Sequence, residues 1–219
     1  MARTSTNFVV IGLGNFGSTI ATELKRFGDY VMGVDLDETK VSHLAENLDQ
    51  ALIVDARDEE ALREAGVGDC DVGIVAIGHN LEASVLATIN LSLVGVDKVW
   101  AKANSKTHHR VLSRLGADRV IHPEVVVGRQ TAQMLHNPLI RDYVSLGNTY
   151  NVVNLEVPES FQGESLEDLQ LHRFDLRCLG VMRGSEFVGR DGDTCNLEEN
   201  DRLLVLGRRN DLRQFTSSL

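Results

Sequence analysis

The chain has 219 residues, 42% of them hydrophobic and 25% charged, with a formal net charge of −10. That is the balance of a globular protein, long enough for one large domain or two modest ones. The acidic excess disfavours nucleic acid and anionic lipid as direct partners, and no apolar run approaches the roughly 18 residues that span a bilayer.

Residues Met1 to Asn7 lack the apolar middle of a secretory signal, so a cytoplasmic location is expected. From residue 8 to about 122 one pattern repeats: a short apolar run, a turn, then an amphipathic stretch. The runs are Phe8–Ile11, Val31–Val34, Ala51–Val54, Val72–Ala76, Val99–Ala101 and Arg119–Ile121, short and β-branched as buried parallel strands are. Phe16, Ile20, Leu24 and Phe27 recur at helical spacing, as do Val41, Leu44, Ala45 and Leu48, and then Leu86, Ile89 and Leu93. Such alternation predicts an α/β fold with a Rossmann-like, doubly wound parallel sheet, because parallel strands need crossover connections. Ser105 opens a further helix that stops at Gly116, and Pro123 opens another that runs to about His136 before Asn137-Pro138.

Beyond about residue 140 the texture becomes β-rich. Asn151–Val157 alternates, Leu176–Met182 and Arg202–Leu206 read as strands, and Gly184-Ser185 as a hairpin turn. Ser165–Leu169 and Asp211–Phe215 read as short helices. Residues 1–139, including the helix after Pro123 as connector, are expected to form the nucleotide-binding domain, and 140–219 a small α+β domain. Cys70, Cys178 and Cys195 include no C-x-x-C pair and are odd in number, so packed thiols are expected rather than zinc, redox chemistry or disulfides.

The chemistry concentrates at Gly12-Leu13-Gly14-Asn15-Phe16-Gly17, a G-x-G-x-x-G that follows a predicted strand and opens a predicted helix. Gly12 permits the tight turn, Gly14 lets phosphate reach the backbone, and Gly17 lets helix and strand pack closely. The helix N-terminus then offers free N–H groups to an anion. Asp35, ending the second strand, takes the place of the acid that accepts hydrogen bonds from ribose hydroxyls; its charge disfavours NADP. Asp37 reads either as a second ribose ligand or as a helix N-cap. Two more turns, Asp55-Ala56-Arg57 and Ala76-Ile77-Gly78-His79-Asn80, follow strands three and four, where ligands of open α/β sheets sit; Asp55 and Asn80 read equally as caps. No tyrosine has Lys four residues on, no G-x-S-x-G occurs, and His108-His109 reads as a solvated helix face, so binding without catalysis is expected.

With these residues in view the chain resembles the RCK/TrkA-N family, and most of all its Ktr-type regulatory subunits. The resemblance rests on Phe8–Gly14 with Phe16-Gly17, Val34-Asp35, Val75–Gly78 with Ala83-Ser84, Trp100–Asn104 including Lys102, His109–Leu112, Leu115–Glu124 and Leu203–Gly207. It implies a non-catalytic nucleotide sensor that pairs through the helix after Pro123. Pairs would build an octameric ring, docked on the cytosolic face of a membrane-embedded potassium-translocating subunit. It further implies ATP or ADP as ligand, with NAD(H) in longer relatives. Asp35 and Asp37 would lie on the ribose, Gly14, Asn15 and Phe16 on the phosphates, and Lys102 within the binding set. Glu124 would hold Mg²⁺ or another cation at the dimer interface. Many ATP-responsive members carry Arg where this chain has Asn15, which offers no charge to a γ-phosphate, so ADP, AMP and NAD(H) stay open beside ATP. Cyclic di-AMP, bound by some relatives in the second domain, would fall near Leu171–Phe174 and Val188–Asp191, here without the proline of those pockets. Two other readings remain: an NAD-dependent oxidoreductase, and a regulator of another ion transport system.

Overall fold

The structure, a computed structural model, describes residues 5–189 and 196–218. The chain divides into two compact units, residues 1–124 and 125–219.

In the first unit, strands β1 (Asn7–Ile11), β2 (Tyr30–Asp35), β3 (Gln50–Ile53), β4 (Val72–Val75), β5 (Lys98–Lys102) and β6 (Arg119–Ile121) form one parallel sheet in the order β3-β2-β1-β4-β5-β6. The reversal of strand direction of travel next to β1 is the switch point at which such sheets bind ligands. Crossovers are made by α1 (Asn15–Arg26), α2 (Glu38–Leu44), α3 (Glu59–Glu64), α4 (Leu81–Leu93) and α5 (Lys106–Arg114). Alternate residues of β1 feed two cores: Val9 and Ile11 pack with Val34, Val75 and Leu91, and Val10 packs with Leu13, Val31 and Ile74. This is the doubly wound sheet expected from the apolar runs. The sequence reading named no helix at α3, whose Leu62 is its one buried residue, too little to make a periodic stripe. Gly116 ends α5 with φ +98°, as expected of a left-handed cap.

The second unit is built on an antiparallel sheet ordered β10-β9-β11-β8-β7. Its strands are β7 (Ile140–Gly147), β8 (Tyr150–Glu156), β9 (Arg177–Arg183), β10 (Glu186–Gly189) and β11 (Arg202–Arg208), followed by α7 (Arg209–Ser218). Val153 and Leu155 of β8, Val181 of β9, and Leu203 and Val205 of β11 are buried together with Leu212 and Phe215 of α7. Strand β7 escaped the sequence reading because its register shifts between Ile140 and Asp142, which breaks the two-residue alternation. The predicted helix at Ser165–Leu169 is a 3-10 turn, Leu166–Leu169, closed by a Ser165–Asp168 capping box. Gly184, with φ +61°, turns β9 into β10 where the hairpin was expected.

Helix α6 (Pro123–His136) runs across the division between the units. The sequence reading places the boundary at 139/140; in the structure α6 joins the second unit from Val125 on, where Gln130 Nε2 donates to Asp142 Oδ1 at 2.6 Å and Met134 packs on the sheet core. Cys70 and Cys178 are buried, and Cys195, Arg190 and Asp191 lie outside the described residues. Among the described residues no helix is long and apolar enough to cross a membrane.

Candidate functional site

A cleft of about 360 Å³ opens at the C-terminal ends of β1 to β4. Gly12, Gly14, Asp35, Asp55, Ala56, Ala76, Ile77 and Gly78, all singled out from sequence, line it. Asn15, Phe16, Gly17, Asp37, Lys102 and Glu124, singled out with them, are not among its lining residues.

The three glycines do different work. A Cβ on Gly17 would stand 1.9 Å from the Gly12 carbonyl oxygen, so Gly17 is required for helix–turn packing. Gly12 has φ +94° and a Cβ there would sit 3.1 Å from Ile77 Cγ1, so it sets the turn. A Cβ on Gly14 meets nothing within 4 Å: the space over it is open. Gly14 is also the N-cap of α1 and supplies no side-chain cap, whereas Asp37, Asp58, Asn80 and Ser105 cap α2, α3, α4 and α5 with their own oxygens. The first N–H groups of α1 therefore lack the partner that its neighbours have, in a first turn with no acidic residue. That combination suits a phosphate.

Asp35 anchors the turn. Its Oδ2 accepts from Leu13 N at 2.7 Å, and its Oδ1 from Asp37 N at 2.9 Å. Lys40 Nζ approaches both oxygens at 3.4 Å and Asp37 Oδ2 at 3.6 Å. Asp37 accepts from Thr39 N at 2.9 Å as the cap of α2, and that amide holds its carboxyl below the usual range. Asp55 is not a cap; Asp58 has that place. Arg57 grips Asp55 through Nε at 2.9 Å and Nη2 at 2.6 Å, which lowers the carboxyl pKa. Asn80 both caps α4 and lines the cleft, beside an exposed His79.

Side-chain amides fasten the remaining loops, Asn90 from a buried position and Asn104 from an exposed one. Asn90 Nδ2 donates to the Ala56 carbonyl at 3.0 Å, and Asn104 Nδ2 donates to the Gly78 carbonyl. Asn104 is backed by His108, whose Nδ1 lies 3.0 Å from Asn104 Oδ1 and Nε2 3.1 Å from Ser84 Oγ. The expectation of a solvated His108-His109 face is overturned: His108 is 2% exposed, its pKa lowered by burial, and half-buried His109 stacks on His122 with ring centroids 5.0 Å apart. Its polarity misled, since a histidine satisfied on both ring nitrogens belongs inside. The signal available was Asn104 and His108 four apart, one on the cap side of Ser105. Lys40, unforeseen as a ligand-facing group, follows Asp35 by five residues, and Arg57 lines the cleft from the turn after β3 that the sequence singled out.

Next to the uncapped turn, Lys102 Nζ lies 5.4 Å from the Phe16 ring centroid, 3.4 Å from where a Gly78 Cβ would be, and 2.5 Å from Glu124 Oε1. Lys102 holds the Glu124 carboxyl below its usual pKa. Among the described residues no three His, Cys, Asp or Glu side chains are placed to hold a metal ion.

Residues 8–123 match the TrkA-N domain. The chain is 34% identical to the Ktr system potassium uptake protein A of Bacillus subtilis (strain 168), over 95% of this chain and 94% of that one. It is 33% identical to the protein of the same name from Vibrio alginolyticus, over 97% of each. In fold it is similar to the GsuK channel bound to NAD, with TM-score 0.65 and 15% identity, over 97% of this chain and 39% of that one.

Proposed function

The chain belongs to the TrkA-N family, and from that premise we propose that it is the nucleotide-sensing regulatory subunit of a potassium uptake system, with its ligand in the cleft at β1 to β4. The reading is carried by one juxtaposition: the uncapped start of α1 over open space at Gly14, within one hydrogen bond of the acid Asp35. Phosphate oxygens accept from the free amides, and the Asp35 carboxylate accepts from ribose hydroxyls with the lone pairs that Leu13 and Asp37 leave over. Asp55 with Arg57, and the Ala76–Gly78 turn, frame the base and sugar. Both ADP or ATP and NAD(H) offer these groups; the fold relative named for NAD supports the second, and the Ktr relatives supply the potassium context.

The role assigned is binding rather than catalysis. Copies of the chain pair through α6 and close into a ring that docks on a membrane-embedded potassium-translocating subunit at the inner face of the membrane. Ligand binding shifts the ring between two shapes, which requires different affinities for the two. Glu124 pairs with Lys102 within one chain, and a Mg²⁺ or other cation there would need Glu124 released from that pair and further ligands from outside the chain.

The test is calorimetry and thermal melting of the full chain with ATP, ADP, AMP, NAD, NADH and cyclic di-AMP, each with and without Mg²⁺ or Ca²⁺. Stabilisation by an adenine nucleotide that vanishes in Asp35→Ala supports the reading. Affinity for every ligand left unchanged by Asp35→Ala refutes the location. Stabilisation by NADH alone replaces the ATP/ADP switch with a redox-linked ligand.

A further inference from the structure

The second unit holds a small cavity of about 100 Å³ between α6, β7, β8 and α7. Arg209 and Arg213 of α7, His136 of α6 and Tyr143 of β7 line it, with Gln133 and Asn137 beside them. No Asp or Glu is among the lining residues, in a chain where Asp and Glu outnumber Lys and Arg by 32 to 22. Three other arginines of this unit meet carboxylates, Arg141 with Glu156, Arg177 with Asp175, and Arg183 with Glu198 and Asp201, while Arg173 donates to Gln170 and Arg208 lies over Tyr150. Among the described residues Arg209 and Arg213 have no such partner. Arg209 Nε donates instead to Tyr143 Oη at 3.3 Å, and Arg213 Nη2 stands 3.4 Å from His136 Nε2.

Two guanidiniums cannot deprotonate, so their charge is fixed, and it converges on a concavity rather than on an acid. A guanidinium so placed recognises tetrahedral oxyanions, because its fork matches two of their oxygens. His136 and the Tyr143 hydroxyl add donors from the opposite wall. At about 30 Å³ for each liquid water, the cavity has room for a few waters or one oxyanion, not for a nucleotide. The long Arg213–His136 contact is one that an anion replaces with profit, since arginine offers only donors and the imidazole must now supply the acceptor. We infer that this cavity is an oxyanion site separate from the nucleotide cleft, taking free phosphate or the phosphoryl end of a larger molecule.

The experiment titrates the full chain with inorganic phosphate and, in a second arm, phenyl phosphate, by calorimetry at low ionic strength. Wild type, Arg209→Gln, Arg213→Gln and Gly14→Val are compared. The expected result is saturable phosphate binding that weakens roughly tenfold in each arginine variant, as for one lost charge-assisted hydrogen bond, and that persists in Gly14→Val, where phosphate held at the start of α1 is removed. Phenyl phosphate binding as tightly as phosphate assigns the site to a phosphoryl group on a larger molecule; weaker binding assigns it to the free ion. Equal affinity in wild type and both arginine variants, or no binding in wild type, overturns the inference. Should a substitution unfold the chain, the His136 ring Cε1–H resonance of wild type decides instead: a phosphate-dependent shift supports the site, and a static signal sinks it. Loss of nucleotide but not phosphate binding in Gly14→Val separates this inference from the cleft reading.

Discussion

The two units answer the same problem, an anion to be held, with opposite means. The first unit uses backbone: the amides opening α1, left without a side-chain cap, over a glycine with no Cβ. Its cleft is otherwise lined by acids, Asp35 and Asp55, each already engaged by a lysine or arginine. The second unit uses side chains, two arginines facing a concavity with no acid in its wall. The difference follows from topology. A parallel sheet gathers its strand ends, its turns and the positive ends of its helices along one edge, so a dipole site arises there at no cost in side chains. An antiparallel sheet alternates its strand directions and has no such edge, so charge must be delivered by long side chains from a helix laid beside it.

The comparison can be broken first at the glycines. Gly17→Val, forced to within 1.9 Å of the Gly12 carbonyl oxygen, should cost more than about 3 kcal/mol of stability in urea denaturation. Gly14→Val, with open space around it, should melt within about 1 kcal/mol of wild type yet lose nucleotide affinity by roughly a hundredfold. A Gly14 variant that unfolds, or one that still binds, denies the backbone its role. Next comes Asp35→Ala, which frees the Leu13 amide as well as removing the sugar acceptor; a loss of about 1.5–3 kcal/mol in binding free energy is expected by calorimetry.

Smaller effects sharpen the picture. His108 is held neutral, its pKa lowered by burial and then by His122. The unfolded chain therefore binds more protons in the range below about pH 6.5, so stability is full above that pH and declines as pH falls toward the lowered folded value. His108→Gln should flatten that decline, measured by denaturant midpoints at each pH between 7 and 5. Last, Arg57→Ala removes an ion pair whose partners are 43% and 34% exposed, and should change stability by less than about 1 kcal/mol, while lifting the Asp55 pKa back toward the ordinary range in an NMR titration.

How much of this could be read from the residues varies with how local the determinant is. The six parallel strands were legible because each carries a short apolar run, buried on both faces in β1, β2 and β4, and the glycine turn because its three glycines, strand and helix are contiguous. Asp35 was legible by position alone. What escaped is set by distance in sequence: His108 meets Ser84 across 24 residues, with only Asn104 four residues before it as a local hint, and Asn90 meets Ala56 across 34, with nothing nearby to mark a buried anchor. Strand β7 escaped for a local reason, the shifted register that hides its alternation. The sorting of Asp37, Asp55 and Asn80 between cap and cleft also needed coordinates, since a capping acid and a ligand-facing acid look alike at a strand–helix junction.

The bond from Leu13 N to Asp35 Oδ2 is one the chain makes with itself, across 22 residues. It welds the turn after one strand to the tip of its neighbour, so the two half-sites for a nucleotide cannot drift apart. The disorder given up in aligning them is charged to folding and not to capture of the ligand. Recognition should accordingly be fast, with small changes in backbone order on binding, and differences among adenine nucleotides should show in how quickly they leave.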